Sequence, residues 1–256
     1  MRNDKYQHDE WVYGVFGIGL EDNMALPQTE HPLIDVHVHT LNKSVKFRPF
    51  LVKEEKLLIL ANETKDIEEM MKATQQVITN CSFGKVHGDE LPVFDMQNIF
   101  LNLRKVSVSE TIEAILRCGH CEHKIDIIVD LNNFELYETE GHEKSVRLSE
   151  NVMVEMRYPN AKEMTMLGKS ETEGDVFKVA QLCMKTIFSG DSIVDADELK
   201  EEDKTEFIDN LTSQQFKAFK QFFESMPVME NEIKYNCPKC EKSNITYLNG
   251  YYDFFV

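Results

Sequence analysis

Apolar and polar positions alternate from Ile34 to His39 and again from Ser44 to Phe47, with Asn42-Lys43 placed to turn between them. This pattern predicts a β-hairpin. After Pro49 the period lengthens to that of a helix. Leu57, Leu58 and Leu60 follow the charged run Lys53-Glu54-Glu55-Lys56, and Ile67, Met70, Met71, Thr74, Val77, Ile78 and Cys81 share one helical face. Gly84 and Gly88 bracket a loop. A third helix then carries Phe94, Ile99, Phe100 and Leu103 and ends near Arg104-Lys105, where basic residues suit the helix dipole.

From Thr111 to Leu131 the two-residue period returns, interrupted by a cysteine pair, so a strand, a knuckle and a second strand are expected. Ser145 to Leu148 and Val152 to Tyr158 also have β character. An apolar stripe from Val176 through Val179, Ala180, Cys183, Met184, Ile187 and Phe188 predicts a helix, with Cys183 as a small buried hydrophobe. Asp195 to Glu206 is acidic and reads as a solvated loop leading into a helix start. Thr212-Ser213-Gln214-Gln215 matches a capping box, and Phe216, Phe219, Phe222, Phe223 and Met226 behind it form an aromatic stripe ended by Pro227. Such a stripe normally packs into a core. Apart from two cysteine knuckles, no internal repeat is evident.

Those knuckles are the strongest chemical signal in the chain. Cys118-Gly119-His120-Cys121 lies between alternating Ile112, Ala114, Leu116 and Ile125, Ile127, Val129. Cys237-Pro238-Lys239-Cys240 lies between Ile233, Tyr235 and Ile245, Tyr247. Glycine or proline after the first cysteine fits a tight turn. Two such hairpins face to face supply four thiolates in a tetrahedron, the usual closed site for structural zinc. Cys118, Cys121, Cys237 and Cys240 are therefore the expected ligands of one Zn2+ per chain. Residues 122–236 separate the pairs, a spacing that loop-closure entropy tolerates because its cost grows only logarithmically. A redox C-x-x-C would open a helix after a strand, which neither knuckle does. Four buried free thiols are the plainer alternative; matched knuckles on strands favour zinc. His120 and His123 are expected at the surface.

The fold class expected is α+β: a mostly helical N-terminal lobe with a β-hairpin, plus a split zinc ribbon carrying an α/β insertion. The corresponding divisions are an N-terminal extension 1–23, flexible or an interaction arm; the hairpin and helical lobe 24–108; the ribbon 109–131 plus 232–256; and inserted strands and helices 132–231.

A net charge of −17 argues against a general nucleic-acid binder, whose affinity comes from neutralising phosphates. It suits solubility and basic protein partners. No stretch has the roughly 20 apolar residues of a membrane span, and Trp11–Leu20 is broken by three glycines with no cleavage site behind it. A reducing cytosol is then expected, where cysteines serve as thiols or metal ligands.

Leu33-Ile34-Asp35-Val36-His37-Val38-His39 contains an H-x-H that resembles the first metal-binding strand of amidohydrolases. A metal-dependent hydrolase using His37 and His39 would need further histidines and a late aspartate on a barrel of repeated strand–helix units. The chain lacks that alternation, so the polar face of a strand is the better reading. No catalytic residue is assigned, and no P-loop, nucleophile elbow or dinucleotide-binding glycine pattern occurs.

The string Val45-Lys46-Phe47-Arg48-Pro49-Phe50-Leu51-Val52-Lys53-Glu54-Glu55-Lys56 resembles the signature of the baseplate hub subunit and hub assembly proteins of T-even-type contractile-tail bacteriophages. Phe94-Asp95, Ile99-Phe100-Leu101, Leu103-Arg104, Lys105-Val106-Ser107-Val108, both knuckles, Val152 to Tyr158 and Phe222 to Pro227 follow in matching order. The resemblance spans residue 24 onward; residues 1–23 depart from it. It implies a structural or assembly role in the tail baseplate hub, not an enzyme. The implied partners are other hub proteins, and an oligomer within the hub is compatible; the charge and the lack of an apolar span speak against nucleic acid and membrane as partners. The implied location is the host cytoplasm during assembly, and the virion if the protein stays in the tail. Phe47, Arg48, Pro49 and Phe50 are candidate contacts for a hub partner, although aromatics beside a helix start usually plug the core.

Overall fold

The computed structural model describes residues 30–168 and 174–248, so the extension 1–23 lies outside the described residues. Strands β1 (Ile34–Val38) and β2 (Lys43–Phe47) form the expected hairpin, with Val36 opposite Val45. Val36, Val38, Val45 and Phe47 are buried while Asp35, His37, Ser44 and Lys46 face solvent. Three helices follow: α1 (Val52–Thr64), α2 (Ile67–Cys81) and α3 (Val93–Ser107). Asp66 caps α2 by accepting the Glu68 N–H at 2.8 Å. Gly88 is required where the α2–α3 loop crosses α2, because a Cβ there would sit 2.4 Å from the Gln75 carbonyl oxygen. Asp95 on α3 is buried and accepts the His39 and Thr40 N–H groups at 2.8 and 2.9 Å, pinning the hairpin turn to the helix.

The chain then makes a second hairpin, β3 (Thr111–Arg117) with β4 (Lys124–Asp130), and a short strand β5 (Glu135–Tyr137). Strands β6 (Ser145–Arg147) and β7 (Val152–Met156) begin the latter part, followed by α4 (Ala161–Gly168) and α5 (Gly174–Cys183). The helix stops at Cys183, short of the Phe188 expected from the apolar stripe. Met184 starts a strand instead, β8 (Met184–Ser189), which pairs with β7 and turns at Gly190 into β9 (Ser192–Asp195). In β8 the buried Met184 and Ile187 still point inward, so one apolar set serves either period; pairing with β7 decides between them.

The acidic stretch is more ordered than a loop. A 3-10 turn at Ala196–Glu198 leads into α6 (Glu201–Asp209), whose first turn holds Glu201, Glu202 and Asp203, favourable at the positive end of the helix dipole. Helix α7 (Ser213–Glu224) has the expected capping box: Thr212 accepts the Gln215 N–H while the Gln215 side chain accepts the Thr212 N–H. Phe216, Phe219 and Phe222 point into the core. Strands β10 (Val228–Asn236) and β11 (Ser243–Leu248) close the described chain, with β5 added to the edge of β10.

The protein is therefore α+β, with seven helices and four small antiparallel sheets among the described residues. Two hydrophobic cores result. One is built from β1, β2, α1–α3 and β3–β4, with Met229 and Leu248 joining it; the other from β6–β8 and α5–α7.

A regularity absent from the sequence pattern emerges here: the element order repeats. Hairpin β1–β2, two helices, α3 and the first cysteine hairpin correspond to hairpin β6–β7, two helices, α7 and the second. The second series carries β8, β9 and α6 between its helices. The joints agree in detail. Arg48 N–H donates to the Cys81 carbonyl at 3.0 Å, and Arg157 N–H to that of Cys183 at 2.8 Å. The Arg48 guanidinium meets Glu54 at 2.9 Å and the Pro49 carbonyl at 2.9 Å. Arg157 meets Glu163 at 2.8 Å and the Tyr158 carbonyl at 3.2 Å. Each glutamate also accepts the N–H of the residue before its helix, Leu51 or Asn160, at 2.9 Å. Burial would raise both carboxyls, but the arginine hydrogen bond, the backbone N–H and the arginine charge outweigh it, so both titrate below the usual range.

Candidate metal centre

The hairpins β3–β4 and β10–β11 end in the two C-x-x-C knuckles, which have the same backbone. Cys118 N–H donates to the His123 carbonyl at 2.9 Å and Glu122 N–H to the Cys118 carbonyl at 2.9 Å. Cys237 N–H donates to the Lys242 carbonyl at 3.0 Å and Glu241 N–H to the Cys237 carbonyl at 2.8 Å. Glu122 and Glu241 both take the left-handed conformation, with φ of 56° and 58°, which turns the chain back into its second strand.

The knuckles meet. Sγ of Cys118 lies 3.6 Å from that of Cys240, and Sγ of Cys121 lies 3.7 Å from that of Cys237. All four ligand atoms fall within 4.8 Å of one another. These separations are too long for a disulfide of about 2.05 Å. They match the edge of about 3.8 Å that Zn–S bonds near 2.3 Å impose on a tetrahedron. The set is also two-fold in character: the first cysteine of each knuckle is buried and the second half-exposed, and the two cross-pairs relate first to second. Asn244 ties the knuckles together, its Oδ1 accepting the Gly119 N–H at 3.0 Å and lying 3.5 Å from Cys118 Sγ. Tyr235 donates its hydroxyl to the Arg117 carbonyl at 2.8 Å.

Two thiols of the cluster are shifted in opposite directions. Burial raises the Cys118 thiol, but the N–H groups of His120 and Cys121 aim at its sulfur and bring it down to about 6. At Cys240 the Lys242 N–H lowers the thiol, yet burial and the three neighbouring sulfurs prevail and push it up to about 12. A bound cation would compensate the charge of the thiolates that four converging cysteines bring together. The residues present fit a four-thiolate metal. Cys81 and Cys183 contrast with them: each is buried beside its clasp arginine and driven up to about 12 by burial, so each is an inert thiol.

The other sequence candidates do not join this centre. His37 is exposed on β1 with its ring edge-on to His39 at 4.9 Å, and among the described residues no further ligand type gathers around them. His120 is exposed and His123 half-buried. Phe47 and Phe50 are buried, while Arg48 and Pro49 are half-buried and Arg48 is committed to Glu54. The sequence reading missed Asn244, Tyr235 and the two Arg–Glu clasps. The sequence Cys-Glu following each C-x-x was the signal for the matched knuckle turns.

Two remote hairpins of this α+β chain thus close on one four-cysteine cluster. A family model described as T4 bacteriophage base plate protein matches residues 31–256, and the chain belongs to that family of phage baseplate proteins. Neither the curated proteins nor the solved structures contain a match.

Proposed function

We propose that this baseplate protein serves in the central hub of the tail, as a hub subunit or hub assembly factor, and that one structural Zn2+ bound by Cys118, Cys121, Cys237 and Cys240 holds it in shape. The observation that carries the metal reading is the meeting of two knuckles separated by residues 122–236, with sulfur spacings that suit a tetrahedron. Four protein ligands leave no open position for water, so the ion stabilises and does not catalyse. Residues 109–131 and 232–256, of which 249–256 lie outside the described residues, then act as a split zinc ribbon around the inserted region 132–231. The hub role rests on family membership together with the Val45–Lys56 string. Its partners are other hub proteins, and an oligomer within the hub is compatible with this role. The charge of −17 disfavours nucleic acid, and no described helix is long and apolar enough to cross a membrane. The protein acts in the host cytoplasm during assembly and in the tail baseplate if retained.

Metal analysis of the purified chain should give about one zinc per chain, and mass spectrometry of infected-cell complexes and finished virions should find the protein with hub components. A chain free of metal, with unchanged melting in strong chelator, would end the zinc reading. Recovery with non-tail complexes alone would end the hub reading.

A further inference from the structure

The repeated architecture exposes one place where the two halves differ, and that difference points to a binding edge. In the second half β7 is covered on both sides, by β6 and by β8. In the first half its counterpart β2 has only β1. Aligning Arg48 with Arg157 places Lys46 opposite Glu155 and Ser44 opposite Met153. The bond from Arg157 N–H to the Cys183 carbonyl opens the β7–β8 ladder, after which Glu155 pairs with Thr186 and Met153 with Phe188. The bond from Arg48 N–H to the Cys81 carbonyl starts the same ladder. There the chain leaves it, turning through Phe83 and Gly84 at φ of 58° and 73°. A strand's backbone groups alternate sides, so the N–H and C=O of Lys46 and Ser44 point the same way as Arg48 N–H, toward the open edge. Among the described residues no strand pairs there, and Ser44, Lys46 and Phe83 are exposed.

We propose that the β2 edge of the first hairpin accepts an extended, acidic segment of a partner protein, added as an antiparallel strand where β8 sits in the second half. The second half supplies the template for register and charge. Lys185 on β8 reaches Glu155 at 3.3 Å, and Glu155 is 37% exposed beneath it. At the equivalent position Lys46 is 58% exposed and has the opposite sign, paired only with Asp35 of its own hairpin. The incoming strand therefore needs a carboxylate where β8 has Lys185, with apolar residues alternating toward the core. The lysine also selects against a second copy of this edge, since two β2 strands would bring like charges together. Main-chain hydrogen bonds would supply affinity and the alternating side chains specificity, as in other strand additions. The proposal depends on the repeat and not on the metal, so it survives or fails independently of the zinc reading.

The test uses the full, isotopically labelled chain and a hairpin peptide of its own residues Met184–Asp195 carrying Lys185→Glu. Adding the peptide should protect the Ser44 and Lys46 amides from exchange at least tenfold. The unaltered peptide should do so less, and Lys46→Glu protein should reverse that preference. Ser44→Pro removes an outward N–H at a strand edge, where proline is tolerated. It should melt like the parent and bind neither peptide. Absence of amide protection with both peptides, or a preference indifferent to Lys46→Glu, would overturn the proposal. Protection of the same amides without peptide, rising with protein concentration alongside self-association, would assign the edge to a second copy and overturn the partner reading.

Discussion

The two halves carry the same Arg–Glu clasp in different surroundings. Around Arg48 and Glu54 the side chains are 11% and 1% exposed; around Arg157 and Glu163 they are 41% and 10% exposed. Both glutamates cap a helix, are buried and take a guanidinium, yet Arg157 reaches water far more than Arg48 does. A buried ion pair contributes little net stability against apolar packing, but removing one partner strands the other charge. The comparison teaches that one motif can hold a rigid joint in one half and a more forgiving one in the other. In the second half, β8 adds further support by pairing with β7 immediately before Arg157.

The largest disruption should come at the join the two halves share. Cys118→Ser and Cys237→Ser occupy equivalent buried positions, so each should abolish metal binding and lower the melting temperature to a similar extent. Structural zinc sites carry on the order of 10 kcal/mol of apparent binding free energy, so the loss should be plain in zinc analysis and thermal melting. A variant of either cysteine that keeps its zinc would break the equivalence.

The clasps come next. Glu54→Ala should cost about 3–5 kcal/mol in urea unfolding, because it leaves a buried guanidinium unpaired. Glu163→Ala should cost less, about 1.5–3 kcal/mol, since Arg157 retains access to water. Equal losses would show that exposure does not distinguish the halves. Both carboxyls are held below their ordinary value, so the unfolded chain takes up protons first as pH falls. Their contribution is present above the unfolded glutamate value of about 4.3 and drains away as pH falls toward and through the lower folded values. Stability measured against pH should decline across that window, and the slope should be shallower in Glu54→Ala.

Smaller effects sharpen the assignment of cysteines and histidines. Cys183→Ala should cost about 1 kcal/mol and leave zinc content unchanged, as befits a small buried side chain outside the centre. His37→Ala on the exposed face of β1 should stay within about 0.5 kcal/mol and leave metal content intact. Loss of metal from the histidine variant would point to a second site.

The sequence made the cysteine pairing legible because C-x-x-C between alternating strands leaves few other solutions, and the capping box at Thr212 because its chemistry is local. The hairpin β1–β2 and the stripe of α2 were legible from period alone. Strand β8 was not. Its Met184, Ile187 and Phe188 continue the face of α5, and the switch to a strand comes from a partner, β7, distant in sequence. The repeat was hidden for a related reason. Only Arg48, Glu54, Arg157, Glu163 and the cysteines recur at matching places, and β8, β9 and α6 shift the later spacing. Asn244 gives no signal in one dimension, because its role is to reach across to Gly119.

The separation of the two knuckles along the chain also imposes a timetable. A ribosome adding about 5–20 residues per second needs on the order of ten seconds to pass from the first cysteine pair to the second. Throughout that interval Cys118 and Cys121 can offer an ion only half of the coordination proposed here. Helices α1–α3 and the hairpin β1–β2 can pack together during this time, whereas the proposed metal clasp must wait for its distant half. A nascent chain stalled before Cys237 would therefore leave the translation machinery with two unclaimed thiols on a hairpin tip, and those thiols chemically distinguish it from a chain that has passed that point.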